Sequence, residues 1–94
     1  MQPVDFPSPL RKLRLSLGMS QEYVCRQLGL RTSGLSRIER GEQEPRAELL
    51  ERIANFFGRA IDELHILYPE RFPHWEPATA QAQARAEHIK RALH

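Results

Sequence analysis

Apolar residues recur three and four positions apart along most of the chain, a spacing that predicts amphipathic helices. The first helix is expected to begin at Ser8 and Pro9, because serine caps a helix and proline suits the first helical position. Leu10, Leu13 and Leu17 recur at helical spacing, and Gly18 is expected to end the helix. The same pattern then repeats after short breaks.

Two short helices are predicted next, and they are joined by a tight corner. Ser20 opens the second helix and Gly29 ends it after about two turns, because glycine tolerates the left-handed backbone of a corner without steric cost. The third helix is predicted to run from Thr32 to Arg40, with Leu35 and Ile38 facing the core. Two helices joined in this way form a helix-turn-helix.

A longer apolar pattern predicts a fourth helix over residues 46–57, which Gly58 closes. The spacing of Ile61, Leu64 and Leu67 marks a short fifth helix, and His65 near its end is expected to cap its C-terminus. No segment shows the alternation of a strand, so the sequence predicts an all-α fold with five helices.

The helical domain is expected to be flanked by one further segment on each side. Residues 1–8 are expected to form an N-terminal arm, residues 9–67 the helical domain, and residues 68–94 a linker with a C-terminal helix. The linker contains three prolines, but its aromatic residues indicate that it packs on the domain. The alanine-rich C-terminal helix has only two bulky apolar residues, Ile89 and Leu93, one turn apart.

Charge is unevenly distributed along the chain. The net charge is only +2, yet residues 9–46 carry eight basic and four acidic side chains, whereas residues 47–94 carry six and seven. This basic excess over the helix-turn-helix favours a polyanionic partner, although a simply solvated surface would show it too. No apolar run is long enough for a membrane span and no secretory signal is recognised, so a cytoplasmic protein is expected.

Candidate catalytic chemistry is sparse. Cys25 is the only cysteine, and it is interpreted as a small apolar residue that lets two helices approach. The four histidines are scattered, with none of the spacings that zinc sites use, and no glycine-rich phosphate loop is present. We therefore expect a protein that is not an enzyme and that needs no metal or cofactor.

The segment SQEYVCRQLGLRTSGLSRIERGEQEP, residues 20–45, resembles the helix-turn-helix family of Cro and the lambda repressor. The similarity includes the Ser20-Gln21 start, the Leu28-Gly29 corner and the run SRIERG at residues 36–41, and it continues through LLERIANFFGRAIDEL. It covers residues 10–67, about two thirds of the chain. The resemblance implies a five-helix domain that binds double-stranded DNA, usually as a homodimer on a palindromic operator.

This family places its third helix in the major groove of DNA, which suggests a role for each outward residue. Arg37 is the leading candidate for base recognition, because arginine contacts guanine O6 and N7 together. The residues expected to contact bases are Thr32, Ser33, Ser36 and Arg37. Those expected to contact phosphates are Gln21, Arg31, Arg40, Arg46 and Arg11.

The resemblance also implies that Glu39, on the DNA-facing helix, forms a structural ion pair with Arg14. Three features depart from the family. Arg31 stands where a serine or threonine usually caps the third helix, so Thr32 is expected to cap it instead. Gly34 lies inside that helix, where it either allows close approach to the DNA backbone or is a tolerated defect. Leu15 replaces a usual polar residue and is expected to be covered by the C-terminal segment or by a second subunit.

The expected function is transcriptional repression by a homodimer, with Trp75, Ile89 and Leu93 forming the dimer interface. The alternative is an antitoxin, which would bind a toxin protein through the same C-terminal residues and would also bind its own promoter. The two readings differ in what covers the C-terminal residues: a second copy of the chain or a foreign protein.

Overall fold

The computed structural model describes residues 6–77, which contain five α-helices and no strand. The all-α prediction is confirmed for this part of the chain. The predicted C-terminal helix with Ile89 and Leu93, and most of the N-terminal arm, lie outside the described residues. The helices, in chain order, are α1 Pro9–Ser16, α2 Gln21–Leu28, α3 Thr32–Glu39, α4 Ala47–Phe56 and α5 Glu63–Leu67, and a 3₁₀ turn follows at Pro69–Arg71.

The ends of α1 and α2 follow from local side-chain chemistry. The Ser8 hydroxyl accepts a hydrogen bond from the backbone N–H of Arg11 at 3.3 Å, and Ser20 does the same for Tyr23 at 3.0 Å. Each bond satisfies an N–H group that has no partner inside the helix. Gly29 ends α2 in the left-handed conformation with φ of 68°.

The expected cap of α3 is wrong. Thr32 is the first helical residue, so its own backbone is already helical, and Arg31 occupies the capping position in an extended conformation. The Arg31 side chain makes no capping hydrogen bond. The first turn of α3 therefore depends on tertiary contacts for its position.

The expected role of His65 at the C-terminus of α5 is also wrong. His65 instead belongs to a reciprocal cap at the N-terminus, where its Nδ1 accepts a hydrogen bond from the backbone N–H of Asp62 at 3.1 Å. The Asp62 carboxylate in turn accepts from the backbone N–H of His65 at 3.2 Å. Asp62 caps the helix and His65 is its third residue, so the Nδ1 atom of His65 is used in the N-terminal cap.

This start also changes which side of α5 is buried. Ile61 precedes the helix, so the helical spacing that linked it to Leu64 and Leu67 does not apply. Leu64 is 54% exposed, whereas Ile66, which the pattern did not single out, is buried. The apolar side of α5 therefore faces the core through Ile66, with Leu67 partly buried beside it.

One hydrophobic core joins all five helices. Burial of apolar area, at about 25 cal/mol per Å², supplies most of the driving force for folding a domain of this kind. α2 packs against α3, while α5 packs against both α1 and α4. The main buried apolar side chains are Leu10, Leu13, Val24, Cys25, Leu28, Leu35, Ile38, Leu50, Ile53, Phe57, Ile61 and Ile66.

The segment after α5 packs on the helices. The Lys12 ammonium group on α1 donates a hydrogen bond to the backbone carbonyl of Trp75 at 3.1 Å. The Trp75 ring packs against the core, with its centroid 5.8 Å from the His65 ring, and Phe72 lies edge-on to His65 at 4.5 Å. Residues 69–77 therefore cover one end of the helical domain.

A buried ion pair connects α1 to α3. Arg14 and Glu39 are 7% and 3% exposed, and they meet through two parallel hydrogen bonds, Nε to Oε2 at 2.6 Å and Nη2 to Oε1 at 3.1 Å. The third nitrogen of Arg14, Nη1, donates to the backbone carbonyl of Met19 at 2.8 Å. Such bidentate geometry compensates for the removal of both charges from water.

Replacing Glu39 by glutamine should destabilise the protein by about 3–5 kcal/mol, because the substitution leaves the buried Arg14 charge without a counter-ion. The measurement is the free energy of unfolding from urea titration. Glu63→Gln is the matched control, since it removes the exposed Arg59–Glu63 pair with the same change of atoms. The control should cost less than about 1 kcal/mol. Equal costs for the two variants would contradict the structural role of the buried pair.

Candidate nucleic-acid interface

The corner between α2 and α3 presents the outer side of α3 to solvent. Leu35 and Ile38 hold the inner side of α3 in the core, with exposed fractions of 0% and 2%. Ser33 and Arg37, one helical turn apart, are exposed on the outer side. α3 is therefore two-sided: its inner side is apolar and buried in the core, and its outer side is polar and accessible to solvent.

Arg37 is the exposed residue best suited to contact a base edge. No hydrogen bond fixes its side chain within residues 6–77, so its donors remain available to a ligand. A guanidinium group offers a planar fork of donors that matches two adjacent acceptors. Guanine presents such a pair, O6 and N7, in the major groove.

Ser36 differs from the other predicted base-contacting residues. Its side chain is half-buried, and its hydroxyl accepts a hydrogen bond from Arg40 Nη1 at 2.7 Å. The structure thus brings two predicted contact residues together, one for a base and one for a phosphate. Ser36 is better placed to orient Arg40 than to reach a base.

Arg40 is also paired with an acidic residue of the following loop. Its Nη2 donates to the Glu42 carboxylate at 2.8 Å. This hydrogen bond holds the pKa of the Glu42 carboxyl below its ordinary value. Glu42 is therefore ionised at neutral pH, and a phosphate would have to compete with it for Arg40.

Thr32 faces α2 with part of its side chain. The thiol of Cys25 is buried, which raises its pKa, while a hydrogen bond with the Thr32 side chain lowers it. The net pKa is raised, so Cys25 is a protonated, unreactive thiol at neutral pH. Thr32 itself is exposed, so its side chain is accessible at the start of α3.

Gln21, a predicted phosphate contact, is the first residue of α2 and belongs to the buried ion-pair network. Its Nε2 donates to Glu39 Oε1 at 3.1 Å. One hydrogen of this amide is thereby used inside the protein and the other remains. Helix N-termini such as this one favour anions, because N–H groups point outward there.

The other predicted phosphate contacts, Arg11, Arg31 and Arg46, are exposed. Arg31 precedes α3 and Arg46 precedes α4. An extended backbone at both positions places these arginines outside the helices. In the sequence, Arg31 comes before α3 and Arg46 comes after it, so basic residues flank this helix on both sides.

Arg52 on α4 forms a contact between helices that the sequence pattern did not predict. Its Nη2 donates to the carbonyl oxygen of Leu28, the last residue of α2, at 2.6 Å. A signal was present, because Arg52 lies at helical spacing from Leu49 and Phe56, which pack against the core. A long cationic side chain at such a border often lies along apolar surface and reaches a polar group beyond it.

No group of three or more histidine, cysteine, aspartate or glutamate side chains within residues 6–77 is arranged to hold a metal ion. None of the helices in the same range has the length and apolar character that crossing a membrane requires.

Residues 10–64 match the model of the helix-turn-helix family. The match spans more than half of the chain and all of α2, α3 and α4, so the chain belongs to this family. No solved structure matches the chain at a comparable level of significance.

Three curated relatives show what this chain is similar to. The cryptic phage CTXphi transcriptional repressor RstR of Vibrio cholerae is 36% identical over 59 residues, which is 63% of this chain and 53% of that protein. The HTH-type transcriptional activator BcrR of Enterococcus faecalis is 34% identical over 61 residues, which is 65% of this chain and 30% of that protein. An uncharacterized HTH-type transcriptional regulator of Archaeoglobus fulgidus is 31% identical over 61 residues, which is 65% of this chain and 87% of that protein. The similarity thus spans about half of the repressor and less than a third of the activator.

Gly34 lies within α3 and has open space around it. A Cβ atom added there meets nothing within 4 Å, and the position is helical. Gly34→Ala should therefore stabilise the protein by about 1 kcal/mol, measured by urea unfolding, because alanine has the better helix propensity. A loss of stability would contradict the open space seen at this position.

Proposed function

Starting from its place in the helix-turn-helix family, we propose that this chain is a sequence-specific, DNA-binding transcriptional regulator. In this proposal α3 lies in the major groove and Arg37 reads a guanine. The observation that carries it is the two-sided α3, whose buried inner side fixes the helix while its outer side presents Ser33 and Arg37. In helix-turn-helix proteins, the N-terminal residues of the motif's second helix contact the base edges, and α3 is that helix here.

Phosphate contacts would position the domain without reading the sequence. The exposed Arg11, Arg31 and Arg46 support this role, together with the N-terminus of α2 at Gln21. Arg40 would contribute only after exchanging Glu42 for a phosphate. The acidic partner should therefore lower general attraction to DNA, because binding would break an existing ion pair.

Repression is the proposed direction of regulation. A small domain that covers promoter DNA blocks access to it without needing a further surface. The relatives include both a named repressor and a named activator, and the repressor shares the larger fraction of its length with this chain. A homodimer on a palindromic operator would place its two α3 helices about 34 Å apart, one turn of DNA.

Arg37→Ala should lower affinity for the operator by about 10- to 100-fold and leave affinity for scrambled DNA nearly unchanged, since a bidentate base contact is worth about 1–3 kcal/mol. The measurement is a binding titration on DNA upstream of the chain's own gene and on scrambled DNA, at two salt concentrations. Binding of the unaltered protein should weaken steeply as salt rises.

Arg71→Ala is the control for loss of one positive charge, because Arg71 lies in the 3₁₀ turn and stacks on Tyr68. It should retain operator selectivity. Equal, weak binding of the unaltered protein to operator and scrambled DNA would count against a regulator of that promoter. An equal loss with Arg37→Ala on both DNAs would reassign Arg37 to phosphate binding.

Trp75 is half-buried against the core of its own chain and its ring lies near His65, so it offers less free surface to a dimer contact than a fully exposed side chain would. Two exposed leucines are the better candidates. Leu64 on α5 and Leu15 on α1 are each 54% exposed. Leu15 lies one turn from Lys12, whose ammonium group contacts the Trp75 carbonyl and the Glu76 carboxylate, so residues 75–76 pack on this side of α1.

We therefore assign Leu64 to the dimer contact and place Leu15, on the side of α1 where residues 75–76 pack, outside that contact. Leu64→Asp should convert a dimer to a monomer, because it places a charge in an apolar contact, whereas Leu15→Asp should leave the dimer intact. Sedimentation velocity of the full chain measures the mass. If Leu15→Asp alone dissociates the dimer, the assignment is reversed.

The antitoxin alternative draws on the same exposed leucines, since an uncovered apolar residue also suits a foreign partner. A monomeric unaltered protein that still binds DNA would favour this second candidate. Its test is co-purification with the product of the adjacent gene, with Leu15→Asp expected to abolish the complex.

A further inference from the structure

The last carbonyl groups of α2 are satisfied by two different parts of the chain. A helix leaves these carbonyls without partners of its own. The carbonyl oxygen of Cys25 accepts the N–H groups of both Gly29 and Leu30 at the corner. The carbonyl oxygen of Leu28 instead accepts from Arg52, a residue 24 positions further along the chain.

The other side of the corner has no side-chain cap. Arg31, the capping residue of α3, makes no side-chain hydrogen bond to the first turn of that helix. The corner at residues 29–31 is thus fixed on the α2 side and uncapped on the α3 side. A bond that holds the end of α2 therefore also affects the start of α3.

Arg52 is well supported for this purpose. Its neighbours Leu50, Ile53 and Ala54 are buried, so α4 is anchored in the core. A cation at the C-terminus of a helix is also favoured by the partial negative charge of the helix end. The contact joins α4 to the helix-turn-helix through a bond to a charged group, which is stronger than a neutral one.

The contact separates Arg52 from one of the proposed phosphate contacts. Gln21 is the first residue of α2, whereas Arg52 binds the last residue, Leu28. An eight-residue helix separates its ends by about 10 Å, since each residue adds roughly 1.5 Å. Arg52 thus acts at the end of α2 opposite Gln21, beside the corner that leads into α3.

We propose that Arg52 is a positioning residue: its hydrogen bond to the Leu28 carbonyl fixes the corner, and thereby the direction in which α3 presents Ser33 and Arg37. The DNA-binding part of this inference rests on the proposed function. A small change of direction weakens base contacts first, because a bidentate bond needs aligned donors, whereas phosphate contacts are less directional.

The first measurement uses the free protein and needs no DNA. Amide hydrogen exchange is compared in Arg52→Met, which removes the donors and keeps an unbranched aliphatic chain, Arg52→Lys, which keeps a cationic donor, and Arg71→Met as the control. Arg52→Met should accelerate exchange at the hydrogen-bonded amides of the corner, Gly29, Leu30, Gly34 and Leu35, by about tenfold relative to residues 11–14. Arg52→Lys should restore part of the protection, and Arg71→Met should change neither region. Unchanged exchange at the corner in Arg52→Met refutes the inference, whatever happens on DNA.

The second measurement is binding of the same variants to operator and scrambled DNA at several salt concentrations, well below their unfolding temperatures. Arg52→Met should lower operator affinity by about tenfold, with scrambled-DNA affinity and the salt dependence unchanged. An equal loss on both DNAs with a salt slope lower by about 1 would make Arg52 a phosphate contact. Unchanged operator affinity despite faster exchange would confine Arg52 to stability. If the unaltered protein does not select the operator, the proposed function fails, and the exchange result still decides the corner contact.

Discussion

The buried contact between Arg14 and Glu39 determines how the N-terminal helices are arranged. Hydrophobic burial is non-directional and tolerates several arrangements of short helices. Two buried charges do not, because each must find its partner or lose a large solvation free energy. Through Arg14, Met19 O, Gln21 and Glu39 the network ties α1, the α1–α2 loop, α2 and α3 together. Rotation of α3 about its axis would separate these charges, so the network fixes which side of α3 faces outward.

The outer surface that results is mixed in charge. Arg37 is available, but Arg40 is bound to Ser36 and Glu42, and Gln21 shares its amide with Glu39. A surface of this kind gains less from simple attraction to phosphates than a uniformly basic one does. Under the proposed function, selectivity would depend on a few directed contacts and on the rigidity of the elements that hold them. The contact from α4 to the end of α2 belongs to this second requirement.

Local signals in the sequence were enough to predict the fold. Ser8, Ser20 and Gly29 act within a few residues of themselves, so their caps and turns could be read from neighbours in the chain. The errors arose where a short-range pattern had two solutions, as at His65, whose side chain suits either end of a helix. Arg52 and the pairing of Ser36 with Arg40 were missed because rotamers and contacts between helices leave no periodic signal. The pairing of Arg14 with Glu39 came from resemblance to a family, since a separation of 25 positions carries no local information.

The buried thiol of Cys25 makes the contact between α2 and α3 chemically observable. Its raised pKa and its burial suppress reaction with alkylating reagents while the two helices are packed. Reaction then requires the helices to part, and when closing is fast its rate follows the population of the open form. Because this is the only cysteine in the chain, the modified fraction can be read directly as a mass increase of the intact protein. The unaltered sequence therefore contains a natural reporter, Cys25, for local opening of its helix-turn-helix.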